Sequence, residues 1–227
     1  QTWSPDGKRI AFSYGKDPSV DIYTMNYDGS NRTNITTDLN LYATIPIWSL
    51  DGSKIIFEYG PPPDASVYNS DIYIMESNGG NKRNLTNTPN NLEILICLSP
   101  KKNRIIYQTD NKRVRNSYSM ALDGTNKTKL DIPNIGEGYF PCWSQDETKI
   151  TFGMDDDIYT MNSDESDLRN LTNTRCRWIE GKSDGLENNP IWSPDGQKIA
   201  FIKDSRNVYT INSDGSNLRN LTNTSSG

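Results

Sequence analysis

The chain of 227 residues contains no histidine. That single absence removes the imidazole base of Ser-His and Cys-His nucleophilic sites, and every histidine-ligated metal, from this chain. No apolar run approaches the roughly 20 residues that a membrane-crossing helix needs, and no leader-peptide pattern is present, so a membrane-embedded protein is not expected. The chain opens at Gln1 already inside a motif and reads as a portion of something longer. Cysteine is scarce and odd in number, at three, which argues against a disulfide framework. Positive charge is in deficit, with 24 Lys and Arg against 29 Asp and Glu, and a pI of about 4.9. A general nucleic-acid binder needs the opposite balance. Hydrophobic content is low at 33%, so the 12 Tyr and 5 Trp must supply buried area that aliphatic residues do not, and strands are favoured over helices.

What the chain has instead is a repeat. The string "WSPDG" begins at Trp3 and again at Trp192, and aligning on it adds Trp48, Leu98 and Trp143. An aromatic follows nine residues later each time, at Phe12, Phe57, Tyr107, Phe152 and Phe201. A second landmark, "DIYTM" at Asp21 to Met25, is echoed four more times, and an aliphatic follows its last residue by ten positions, at Ile35, Leu85, Leu130, Leu171 and Leu221. Both segments alternate apolar and polar around an Asp-Gly turn, the pattern of a β-hairpin. Two hairpins per unit make a four-stranded antiparallel sheet, with strands A to D in chain order. Five such units of about 45 residues predict an all-β, five-bladed β-propeller. The blades are placed at approximately 1–37, 46–87, 96–131, 141–174 and 190–224 of a single domain spanning 1–227. The chain runs from strand A of the first unit to strand D of the fifth, so ring closure is expected to rest on packing between those two units.

The segment "PIWSPDGQKIAF" at Pro190 to Phe201, followed by "VYTINSDGSNLRNLTNT" at Val208 to Thr224, resembles the WD-like repeat of the TolB-type propeller family. The resemblance covers nearly the whole chain. It implies a propeller used as a periplasmic or extracellular scaffold, with a protein partner or a cell-envelope polymer as ligand. Related propellers also serve as the substrate-gating domain of prolyl-oligopeptidase-type serine peptidases, which is the alternative. The third unit departs from the pattern at Leu98, Lys101, Lys102 and Asp131, and the fourth places Glu147 and Glu165 where glycine is expected.

Constant hairpins force all length variation into the B-to-C and D-to-A connections, and binding residues concentrate on loops held by a rigid scaffold. The longest are "EYGPPPDASVYNS" at Glu58 to Ser70 and "RCRWIEGKSDGLENN" at Arg175 to Asn189. Trp178 stands outside the repeat position and is flanked by Arg175 and Arg177, a composition typical of interface hot spots. Folding back over the joint between units four and five is the competing role for Trp178. Residues 98–131 carry eight Lys or Arg against three Asp, which can steer an acidic partner or simply form a solvated face. The expected binding face therefore bears Tyr59, Tyr68, Arg113, Arg115, Arg175, Arg177 and Trp178. No catalytic residue and no cofactor is expected, and a carboxylate-based glycosidase is disfavoured because the repeat does not match those enzymes.

Other candidates read as structural. Asp155, Asp156 and Asp157 fit a tight polar turn better than a Ca²⁺ loop, whose spacing they lack. The recurring Asp21, Asp71 and Asp157, and the recurring serines at Ser4, Ser49, Ser99, Ser144 and Ser193, fit hydrogen bonding within turns. Cys97 and Cys142 occupy the slot of Ile47 and Ile191 and read as small apolar residues. The Asn-x-Thr triplets at Asn84, Asn170 and Asn220 mark strand D rather than glycosylation.

Overall fold

In the computed structural model, which describes residues 1–16, 19–62, 69–88, 91–101, 103–111, 114–132, 140–173, 177–179, 182–184, 187–203 and 207–222, the opening string closes a hairpin with its own side chains. Gly7 lies at φ +69°, a region that a residue without Cβ enters freely, and its N–H donates to the Ser4 carbonyl at 2.9 Å. The Ser4 hydroxyl donates to Asp6 Oδ1 at 2.6 Å and accepts the Arg9 N–H at 2.9 Å. Asp6 also accepts the Lys8 N–H. The same set recurs at Ser49 and Asp51, Ser144 and Asp146, and Ser193 and Asp195.

Five sets of four strands follow along the chain, and no helix occurs among the described residues. The first comprises β1 (Thr2–Trp3), β2 (Arg9–Lys16), β3 (Ser19–Asn26) and β4 (Thr33–Asn34). The second is β5 (Tyr42–Trp48), β6 (Lys54–Gly60), β7 (Asp71–Glu76) and β8 (Arg83–Asn84). A single parallel pair, Val20 with Tyr42, joins these two sets into one eight-stranded sheet. The third set is β9 (Leu92–Leu98), β10 (Arg104–Asn111), β11 (Val114–Ala121) and β12 (Thr128–Leu130). The fourth is β13 (Cys142–Trp143), β14 (Lys149–Met154), β15 (Asp157–Asn162) and β16 (Arg169–Asn170). A short hairpin of β17 (Arg177–Ile179) and β18 (Lys182–Asp184) precedes the fifth, β19 (Glu187–Trp192), β20 (Lys198–Lys203), β21 (Asn207–Asn212) and β22 (Arg219–Asn220). Sets three, four and five are separate four-stranded sheets.

The first strands of sets two, three and five begin earlier than the repeat landmarks, because a bulge carries each past its register break. The register of β5 on β6 shifts between Thr44 and Ile47, and that of β19 on β20 shifts between Asn188 and Ile191. Pro46 and Pro190 lie within these breaks, where a residue lacking an N–H removes no ladder bond.

The fourth strand of most sets is two residues long because side chains complete its pairing. Asn34 Nδ2 donates to Asp21 Oδ2 at 3.0 Å, the Thr36 hydroxyl donates to Asp21 Oδ1 at 2.9 Å, and that hydroxyl accepts the Ile22 N–H. Asp71 with Asn84 and Thr86, and Asp157 with Asn170 and Thr172, repeat the arrangement. These repeat aspartates therefore tie strand C to strand D, a longer reach than a turn cap. Within each sheet the strand B aromatic meets the strand C tyrosine, as in Phe12 with Tyr23 at 5.8 Å and Phe152 with Tyr159 at 6.1 Å between centroids.

The contacts group into two compact units, residues 1–98, 103–114 and 118–128 in the first, and 99–102, 115–117 and 129–227 in the second. In the first, Trp48 is 4% exposed and packs among Ala11, Ile22 and Ile35 of the preceding set and Ile55, Phe57 and Met75 of its own. A parallel core joins Ile56, Ile72 and Leu85 to Leu95, Ile105 and Met120. Trp3, which no earlier set covers, is 56% exposed. In the second unit Ile158 and Leu171 pack against Ile199, Phe201 and Ile211.

The departures of units three and four from the repeat explain one another. Lys101 stands where the other turns place Asp, so the third turn lacks its carboxylate. Glu147, at φ +62° in the glycine slot of the fourth turn, supplies it: Ser99 Oγ and the Lys101 N–H both donate to Glu147 Oε1. Elsewhere the glycine of the second turn presses on the preceding strand D; a Cβ on Gly79 would lie 2.5 Å from the Ile35 carbonyl oxygen. Glu165, at φ +70° in that slot, instead accepts the Asp131 N–H at 3.1 Å.

Candidate binding site at the loop end of the second sheet

The Glu58 to Ser70 connection leaves and rejoins the second set of strands through closely apposed backbone. A Cβ on Gly60 would lie 2.7 Å from Ser70 Cα, so only glycine lets the two legs meet this tightly. At their base is a cavity of about 100 Å³ whose lining includes Tyr42, Thr44, Glu58, Tyr59, Ser70 and Leu92. The Tyr59 ring is fixed edge-on against Tyr73 at 5.2 Å between centroids, and its hydroxyl accepts the Asn40 N–H at 3.2 Å.

Glu58 is the charged group of the cavity. Its Oε1 accepts the Leu95 N–H at 2.7 Å. Burial pushes its carboxyl up from 4.5 to about 7, only partly offset by that bond. Nearby in the same unit, Glu93 on β9 is wholly buried, takes the Thr88 hydroxyl at 2.5 Å, and leaves Oε2 without a hydrogen-bond partner. Its carboxyl is also pushed up to about 7, by burial first and then by the Asp71 charge. Glu93 stands in the slot that β5 fills with the buried Ala43, five residues before the landmark in each case. A larger groove of about 470 Å³ lies at the opposite end, between the first two turns. Its walls are repeat residues, Ser4, Asp6, Arg9, Trp48 and Asp51 among them, with the Arg9 guanidinium 5.4 Å from the Trp48 ring centroid.

No protein-family model matches the chain, and no curated protein matches it. Solved structures do. A TolB structure from Agrobacterium tumefaciens superposes with a TM-score of 0.65 at 22% identity, over 96% of this chain and 78% of that one. TolB from Acinetobacter baumannii gives 0.65 at 22% identity, over 96% of this chain and 52% of that one. The fold is a TolB-like β-propeller. An oligogalacturonate lyase in complex with manganese is similar too, with a TM-score of 0.60 at 18% identity over 80% of this chain and 50% of that one. The chain thus spans about half the length of the Acinetobacter TolB and of the lyase. At these identities the likeness describes the fold and leaves function to the residues.

Within the TolB-like propeller the sequence-predicted residues fall in three groups. Tyr59 lines the cavity. Arg115 lies on β11 and is half-buried, and Arg177 and Trp178 lie on β17, with Trp178 opposite Ser183 on β18. Tyr68, Arg113 and Arg175 lie outside the described residues, as does Cys176. Cys97 and Cys142 are half-buried. Asp155 and Asp156, at φ +50° and +65°, form the polar turn between β14 and β15. Among the described residues no group of three or more His, Cys, Asp or Glu could hold a metal ion. Pattern reading missed Glu58 and Glu93. A glutamate in the slot of Ala43 was the available signal for Glu93, and only the register of Leu95 against Glu58 could have found the other.

Proposed function

We propose that this TolB-like propeller is a five-bladed, non-enzymatic binding module that holds a protein partner or a cell-envelope polymer at the loop end of its blades, in the periplasm or outside the cell. One observation carries the proposal: the turn carboxylates are spent on internal hydrogen bonds, whereas the loop end of the second sheet keeps an aromatic cavity with a poorly satisfied glutamate. The Arg177 and Trp178 hairpin and Arg115 add the residue types that dominate interface energies. The likeness to TolB structures supports placement in the cell envelope.

The test is retention of envelope proteins and purified wall polymers on immobilised wild-type protein and on an Arg177→Ala, Trp178→Ala double variant. Retention is expected to fall at least tenfold in the double variant with its melting temperature unchanged; equal retention removes that hairpin from the site. Turnover of oligogalacturonides by the wild type would overturn the non-enzymatic assignment.

A further inference from the structure

We infer that the cavity at Glu58 is a receptor for a single lysine side chain of a polypeptide partner, its ammonium on Glu58 Oε2 and its methylenes between Tyr42, Tyr59 and Leu92. This deepens the binding role proposed above and rests on it. Among the described residues Glu58 makes one hydrogen bond, from the Leu95 N–H to Oε1, so the second oxygen is left for a ligand. A half-buried carboxyl with one oxygen unpaired gains from an incoming cation, because the cation replaces the proton that partial desolvation favours there. The walls fit a lysine stem: aromatic faces favour an ammonium, and apolar surface accommodates its methylenes. The size fits as well, since about 100 Å³ corresponds to roughly three water molecules, room for an alkylammonium tip and too little for a peptide backbone. The compact unit as a whole carries thirteen Asp and Glu against eleven Lys and Arg, so the attraction for a cation comes from Glu58 itself rather than from the field of the unit.

The other titratable groups on the elements packed around Glu58 are Tyr42 on β5, Lys54 and Tyr59 on β6, Asp71, Tyr73 and Glu76 on β7, and Glu93 and Cys97 on β9. Of these Glu93 titrates in the same range, so the readout must be local to Glu58.

The probe is N-acetyl-lysine methylamide, with its Nε-acetylated form as the uncharged control, followed through amide shifts of the protein at pH 8 and pH 6. Millimolar binding is expected to move the Leu95 amide. Affinity should fall about tenfold from pH 8 to pH 6, because an acid at about 7 goes from roughly nine-tenths to roughly one-tenth ionised. Glu58→Gln, which keeps the acceptor for Leu95, should lose the binding, and the acetylated probe should not bind the wild type. Equal affinity for both probes, absence of binding at pH 8, or unchanged affinity in Glu58→Gln would overturn the assignment. Should Glu58→Gln fail to fold, the comparison of the two probes on the wild type decides alone. The probe needs no partner, so its failure leaves the partner test at Arg177 and Trp178 standing.

Discussion

Asp51 and Glu58 stand seven residues apart on one hairpin, and their surroundings drive them in opposite directions. At the turn, hydrogen bonds from Ser49 and Ser53 hold Asp51 down at about 2. Toward the other end of β6, burial pushes Glu58 up to about 7. Asp146 repeats the first behaviour through Ser144 and Thr148, and Glu93 repeats the second. Donors gathered around a solvated carboxylate stabilise the fold, whereas a carboxylate pressed into apolar surroundings costs stability unless something arrives to pair with it. The turn end is therefore built for folding, and the loop end of the second sheet keeps an unpaid cost of the kind that marks binding sites.

The sharpest test of the repeat's structural half is its tryptophan. Trp48→Ala should destabilise the protein by about 3–5 kcal/mol in a denaturant titration, because it empties a core shared by the first two sets of strands. Trp3→Ala, at the same repeat position but 56% exposed, should cost less than about 1 kcal/mol. Equal costs would break the distinction between covered and uncovered copies.

Glu147→Ala comes next, at about 2–3 kcal/mol, since it strips the third turn of the acceptor for Ser99 and Lys101. Joining Lys101→Asp to Glu147→Gly should recover most of that loss by restoring the pattern of the other turns. A double variant no better than Glu147→Ala would show that the borrowed carboxylate does not replace the missing one.

Glu93→Gln addresses the loop end. A carboxyl raised from 4.5 to about 7 binds its proton more tightly in the folded state, so the wild type should lose stability as pH rises from 4.5 through 7 and then level off. The variant should remove about 2 kcal/mol of that decline, measured as the difference in unfolding free energy between pH 5 and pH 8. An unchanged pH profile would mean that Glu93 is ionised and paired in the fold.

Asp51→Asn is the smallest effect. A carboxyl lowered from 3.8 to about 2 contributes stability that is present above 3.8 and lost as pH falls toward 2. Because Asp51 is solvent-exposed, screening limits the loss at pH 7 to about 1 kcal/mol, and wild type and variant should converge near pH 2.

The repeat was legible because each of its residues answers a local need that spacing reveals. A serine two residues before an aspartate caps a turn, an aromatic nine residues on meets a tyrosine across one hydrogen-bonded pair, and Asn-x-Thr completes a strand too short to pair by backbone alone. Such interactions lie within about fifteen residues, so the sequence by itself determined the hairpins, the four-stranded sheets and the ends at which length varies. It also exposed Glu147 and Glu165 as misfits without showing their purpose. Only the tertiary structure decided what they do, because their partners Ser99, Lys101 and Asp131 are 34 to 48 residues away. The same holds for Glu58, whose hydrogen-bond partner Leu95 is 37 residues distant. Its environment is set by which strand of the next sheet lies against it, and burial from a distant strand leaves no periodic trace in the residues that are buried.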